Sequence, residues 1–442
     1  MQKQRLSLGL VAVSSCLALT ASLSAQSVHR IANGQAIQPV IDSASPGDIL
    51  VVSPGTYPEA IDISKSLVLV SELDILGLET NLIAPGCDPS SFDCNLVNVD
   101  SVTVHDTPQD GRVILKGVRV FRDRATSQGF VLDSNQSVVW IEGCRVDAPN
   151  ANAIIEPDVS IANAPASIEM LDNDEVHMLK CSFRGHPRVV FGNTYEATAA
   201  MNWISASELG DAGNYLTVYG TQFFGGSGAG SQFPGSGADA VTFATSPLAG
   251  TVAFYFGGVD MFGGAGVSVG DSYSGTGSLT MFQKSVTETP TVVTLPNVDI
   301  KTLPGIAGGF IADTSFTEGQ TRNLVFGHSY DVPTSSPVEL FGMAWSLESA
   351  SGAEVAMANN TCTGSCPLNL PGTLCLNFGA PSGVQNFGML PIVNGIGGAI
   401  EPFTPNVVNV PLVLFGQGYF VRTDNLAETW GSASALILLP AP

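Results

Sequence analysis

The chain has 442 residues, 44% of them hydrophobic and 13% charged, with a formal net charge of −22. That is enough apolar material for a large core and two domains. The acidity excludes nucleic acid and anionic lipid as partners, which carry the same sign of charge, while it keeps an exported protein soluble and tolerates a cation such as calcium.

Residues 1–25 have the three parts of a secretory signal peptide: basic Lys3 and Arg5, an apolar run from Leu6 to Leu23, and small residues at Ser22, Ser24 and Ala25. Cleavage is expected after Ala25, giving a secreted protein, extracellular or at the cell surface. Val13-Ser14-Ser15-Cys16 keeps a lipoprotein signal open, although the apolar run continues through Leu17, Ala18 and Leu19 where such signals turn polar. No other apolar run reaches bilayer length, so no transmembrane segment is expected in the mature chain. Of the eight cysteines, seven follow the leader and meet an oxidising setting. Cys87 and Cys94, at the ends of CDPSSFDC, are the best disulfide candidates, and Cys362 and Cys366 lie in a second cluster with Cys375. Zinc is the alternative at the second cluster, opposed by the absence of a nearby histidine and a fourth thiol.

From Ile37 to Ser71 the pattern is informative. Ile37, Val40, Ile41 and Ala44 recur at helical spacing, with Pro39 in the first turn, where its missing N–H leaves no gap. After Pro46-Gly47-Asp48 the period becomes two: Leu50 and Val52, Ile61 and Ile63, Leu67 and Leu69. Short strands separated by turns at Ser53–Thr56 and Ser64–Ser66 make one coil of roughly 20 to 25 residues, a solenoid period. This succession of capping helix, PGD, SPGTY, EAIDIS and SLVLVS resembles the start of secreted bacterial right-handed parallel β-helix proteins of the pectate-lyase-like superfamily. The likeness covers about thirty-five residues and implies a fold and a superfamily that handles polysaccharides; it does not imply catalysis, because function lives in a site grafted on the coil.

The coil signature recurs at Gly117–Phe121, Gly143–Asp147, Lys180–Arg184, Gly220–Phe224 and Gly258–Phe262, with offsets of 26, 37, 40 and 38 residues between their second members. Insertions that bulge from a solenoid explain the uneven spacing. Second and fourth members are expected to point inward, as ladders of Val118, Cys144, Cys181, Thr221, Val259 and of Val120, Val146, Phe183, Phe223, Met261. Cys144 and Cys181 then sit on adjoining coils, where buried free thiols are expected over a disulfide. Gly225–Asp239, GGSGAGSQFPGSGAD, lacks the strand, helix and lysine of a phosphate loop and reads as a flexible solenoid loop. From about Thr289, longer alternating segments with Pro-rich joints predict an antiparallel sandwich. Its ending, PLVLFGQGYF and GSASALIL, resembles a β-rich terminal module of many secreted environmental bacteria, a likeness that implies sorting or attachment at the cell surface. A structural cap on the solenoid's open end explains the module equally well. The expected organisation is therefore mainly β: signal peptide 1–25, capped right-handed parallel β-helix 26–288, and C-terminal β-sandwich 289–442.

Chemistry is sparse. The DD, GHG and RIK pattern of galacturonan hydrolases and the GxxDFIFG of pectin esterases are absent; Gly185-His186-Pro187-Arg188 lacks the aspartates, and Gly270–Gly275 has a serine without local base or acid. The outward members of the coil segments are the better constellation. Arg119 and Arg145 fall on neighbouring rungs, with Phe121, Asp147, Arg184, Phe224 and Phe262 in the adjoining row. Guanidinium forks match uronates or sulfated sugars, and rings stack on sugar faces. A lyase would add a base and a cation, for which Asp123, Glu142 and Asp147 are candidates. Ordinary surface ion pairs explain the same residues. Leu171–Glu175 is the densest acidic run, without the glycine and distant glutamate of a helix-loop-helix calcium site. No cofactor other than calcium is indicated. The competing functions are a non-catalytic binder of extracellular polysaccharide along the solenoid face, a polysaccharide lyase or glycoside hydrolase with an unfamiliar site, and a structural or adhesive envelope component.

Overall fold

The computed structural model describes residues 26–72, 97–121, 128–147, 165–191, 193–206, 214–228, 235–246, 252–284, 286–290, 295, 297–302, 307–312, 315–329, 338–349, 382–391, 396–422 and 428–441. Residues 1–25 and the four cysteines at 87, 94, 362 and 366 fall outside them, as does Asp123.

The chain is a right-handed parallel β-helix with a capping helix at its start and a β-sandwich docked on one side. A full coil has three straight legs, which are separate strands from the third coil on, whereas in the first two coils Gly55–Ile63 and Val97–His105 run through the second and third legs unbroken. In the third coil the legs are Arg112–Lys116, Val118–Phe121 and Phe130–Asp133, which we term first, second and third. Like legs of successive coils pair in parallel, as Arg112–Lys116 with Val138–Glu142 and that strand with Glu175–Leu179. The right-handed coil is the hand that twisted parallel strands favour for a crossover.

The two predicted inward ladders are buried member for member, from Val118 to Val259 and from Val120 to Met261. Their rings stack along the axis, Phe183 on Phe223 with centroids 5.8 Å apart. In five coils the first-to-second corner turns on one left-handed residue: Gly117, Gly143, Gly220 and Gly258 have φ of 73°, 59°, 59° and 58°, and Lys180 takes the same place at 55°. A third buried ladder, of polar side chains, lies where the third leg ends. Asn135 donates to Asn173 at 2.7 Å and accepts from Thr107 at 2.8 Å, so polar corners are satisfied rung to rung.

The helix Gln38–Ser43 buries Ile37, Ile41 and Ala44 against the first coil, closing its open end. Its six residues are too few to be stable alone. The neighbouring coil caps both ends instead: the Glu59 carboxylate accepts from the N–H groups of Ile37 and Gln38, and Lys65 Nζ donates to the carbonyls of Ile41 and Ala44 at 2.9 Å. Acid at the amino end and base at the carboxyl end also suit the helix dipole.

The solenoid runs through Val298–Thr302, which still pairs in parallel with Leu279–Lys284, and the module's sheet begins at Ala307. Its strands lie in the order 382–391, 338–346, 412–422, 428–439, 307–312, 322–329, 396–403. The sheet folds over a core in which Phe326 meets Phe341 and Phe387 at 5.1 and 4.9 Å, so the sandwich's two layers are continuous through Glu428–Leu439. Most pairings are antiparallel, but this last strand is parallel to its neighbours at Gly309 and Phe316.

First-leg strands are buried on both faces: Leu50, Val52, Leu67 and Leu69 enter the coil core, while Ile49, Val51, Val68, Val70, Ile114 and Trp140 pack on Val413, Phe415, Ala433, Ala435 and Ile437 of the module. Second and third legs alternate buried and half-exposed residues. The described part of the Gly-rich insertion is ordered where a flexible loop was expected. Gly226 donates to Thr198, Ala238 to Gly226 and Gly264 to Ala238, and a Cβ on Gly226 or Gly264 would come 1.9 Å from a neighbouring carbonyl oxygen. Only glycine permits that approach, so this composition serves close stacking.

Candidate functional site

The second-leg strands 118–121, 145–147, 182–184, 222–224 and 260–262 present their outward side chains as two rows. Arg119 is the register partner of Arg145, which continues to Ser182, Gln222 and Asp260. The adjoining row holds Asp147, Arg184, Phe224 and Phe262, and Phe121 is the register partner of Asp147. The predicted register is therefore the observed one, and the predicted residues share one face.

That face is internally bonded. Arg119 Nε donates to Asp147 Oδ2 and Arg145 Nε to Oδ1, both at 2.6 Å, so one carboxylate holds two guanidinium groups. The Asp147 side chain is 13% exposed against 31% for Arg145, so a ligand would meet the arginines first. Arg184 is exposed and lies over the Phe224 ring at 4.6 Å, and Phe224 stacks on Phe262 at 5.2 Å. Both faces of Phe224 are thus engaged, one by a cation and one by a ring, which leaves its edge for a ligand.

Glu142 does not join Asp147. It lies on the first leg, fully buried beneath the module, which removes it from a shared cation site. Among the described residues no group of three or more His, Cys, Asp or Glu side chains is placed to hold a metal ion. The acidic run 171–175 also disperses: Asp172 accepts from Ala206 N–H, Asn173 enters the buried ladder, and Glu175 binds His177 at 2.6 Å. Burial and the charge of Glu175 push the Asp174 carboxyl up to about 6. Ser272 is buried. The histidines pair elsewhere, His29 with Asp48 and His105 with Asp62 and Asp106. Cys144 and Cys181 are buried free thiols, and burial pushes the Cys144 thiol up to about 12.

Sequence reasoning missed the most strongly bonded polar cluster, which lies on the outer side of the first leg. Lys116 Nζ is 3.2 Å from Glu142 Oε1 and Lys180 Nζ is 3.5 Å from the same atom; Lys116 and Glu142 are fully buried. Burial would raise the Glu142 carboxyl, but the two ammonium groups and donors from Ser434 and Ala435 outweigh it and hold the group below its ordinary range. A lysine ending RVILK one rung from a glutamate ending VVWIE was the available signal. The partner strand, some three hundred positions away, gave none.

The class defined by these features is a capped parallel β-helix with a docked β-sandwich. No known protein family matches the chain, and neither curated proteins nor solved structures give a match.

Proposed function

We propose that this is a secreted or cell-surface β-helix protein, akin to the pectate-lyase-like superfamily, that binds acidic extracellular polysaccharide along the second-leg face without transforming it. The observation that carries the reading is that the module covers the first leg while Arg119, Arg145, Arg184, Phe224 and Phe262 stand together on the second. In a chain with 17 basic residues against 39 acidic ones, three guanidinium groups on adjoining rungs make a local anion-attracting strip. Successive rungs lie about 4.8 Å apart, so an extended glycan laid along the axis meets them in turn. The leader would deliver the chain across the membrane, and the C-terminal module would retain it at the surface.

The test is retention of the mature protein on immobilised uronate and sulfated polysaccharides, against neutral ones, while product formation is followed. Arg184→Ala should weaken retention about tenfold, the size of one lost charge-assisted bond, and Phe224→Ala should weaken it less, through loss of the ring that seats Arg184. Asp147→Asn should strengthen it by removing the negative charge that lies between Arg119 and Arg145. Unsaturated or reducing products would make it a lyase or hydrolase. No retention on any glycan would leave a structural or adhesive envelope role, which the engaged faces of Phe224 favour.

A further inference from the structure

The module's last strand, Glu428–Leu439, pairs with Leu412–Arg422 along one side. Along the other it pairs with Ala307–Ala312 at Ser432 and with Phe316–Thr317 at Leu438, and between those two points no main-chain pairing with a described strand is formed. Three main-chain groups of that stretch are bonded by side chains of the solenoid. Ala435 N–H donates to Glu142 Oε2 at 2.8 Å, Lys116 Nζ donates to Ala435 O at 2.7 Å, and Lys180 Nζ donates to Ala433 O at 2.8 Å. Ser434 Oγ accepts from Lys116 at 3.0 Å and from Ala312 N–H at 3.2 Å, and donates to Glu142 Oε1. Trp140 Nε1 steadies the carboxylate at 3.1 Å.

Two cations and an anion on three successive coils therefore stand where a neighbouring strand's carbonyl and amide groups would stand. We propose that Lys116, Glu142 and Lys180 are a main-chain recognition site for a β-strand, that its occupant is the chain's own segment Ala433–Ala435, and that the module's sheet is complete only on the solenoid. The run Gly431-Ser432-Ala433-Ser434-Ala435 suits the site because short side chains let the backbone approach the first leg. The C-terminal module is then an obligate part of the β-helix, and any attachment role falls to the whole molecule. This inference is independent of the polysaccharide reading.

The alternative is a buried ion pair whose bonds to the strand are incidental, and the two make opposite predictions. Replacing a plain buried ion pair by apolar side chains of similar volume is often neutral or stabilising. Replacing a recognition site that way orphans the Ala433 carbonyl and both main-chain groups of Ala435 in a dry interface. The experiment uses the full mature chain with a protease site placed in 303–306, cut after folding, so that module and solenoid are held only by contacts. In the wild type the pieces should co-elute, and the Ala435 amide should resist hydrogen exchange. In Lys116→Met/Glu142→Leu/Lys180→Met, release should be on the order of 100-fold easier, as expected for several lost bonds to charged groups, and Ala435 should exchange. Glu142→Gln should show the same direction; if it does not accumulate folded, the apolar triple variant, which leaves no unpaired buried charge, carries the test. A triple variant that holds the module as tightly as wild type, or a wild-type module that departs on cutting, overturns the proposal.

Discussion

Lys180 stands where four other coils have glycine, in the left-handed conformation at φ 55°. A side chain there strains the backbone by about 1–2 kcal/mol. Its retention follows from its bonds to Glu142 and Ala433 O, which no glycine could make. Lys180→Gly therefore sets relief of strain against the loss of one of the two cations beside the buried Glu142 carboxylate and of the donor to Ala433 O, and the second is larger: a lower unfolding temperature is expected, whereas a rise would show the backbone term to dominate. At Gly143 no such bond compensates, and Gly143→Ala should lower stability by about 1–2 kcal/mol in a denaturant titration. Cys144 and Cys181 should ignore thiol reagents in the native protein and react once it unfolds, because burial disfavours the thiolate. At this scale the sequence revealed which residues face inward, since a period of two needs no long-range information. It did not reveal that Lys180 replaces a corner glycine for the sake of a strand at 428–439.

Among elements, the short helix tests how far a cap can come from outside its own segment. Glu59 supplies acceptors to two N–H groups that the helix itself leaves without partners, so Glu59→Ala should destabilise the first coil by about 1 kcal/mol and expose the segment from 38 to 43 to hydrogen exchange first. Core ladders weigh more. Phe183 stacks on Phe223 and meets Phe130 edge-on, so Phe183→Ala should cost about 3–5 kcal/mol in chemical denaturation. The helix and the coil strands were readable from spacing. The burial of both first-leg faces was present in the continuous runs ILVV, LVLVS and VVWIE, which are the mark of strands covered on two sides, but nothing local names what covers them. The second-leg row was readable too, in identity and register. Its internal pairing, Asp147 between two arginines and Phe224 between Arg184 and Phe262, depends on side-chain directions that spacing does not set.

For the whole molecule, the docking interface should carry an acid dependence. Glu142 has a folded-state pKa below its unfolded value of 4.5, so the stability it contributes is present above that value and is lost as pH falls through the folded one. Cooperative loss of the module's protection from proteolysis in acid, absent near neutrality, is the expected result, and a profile unchanged in Glu142→Gln would assign it to another group. His105, raised by its bond to Asp106 and the charge of Asp62, acts in the opposite direction: its small, partly exposed contribution is present below 6.5 and fades as pH rises through the raised value.

The single-residue corner between first and second legs has an architectural consequence. In the five coils with a left-handed corner residue the second leg follows at once, leaving that corner no slack, whereas in the second coil the same corner spans residues 72–96. Peptide epitopes spliced between Gly228 and Gly235 should be accepted, and the same inserts after Gly143 or Gly220, or beside the stacked Gly226 and Gly264, should abolish folding. The molecule is a scaffold that can diversify at some corners and not at others, with insertion length set coil by coil.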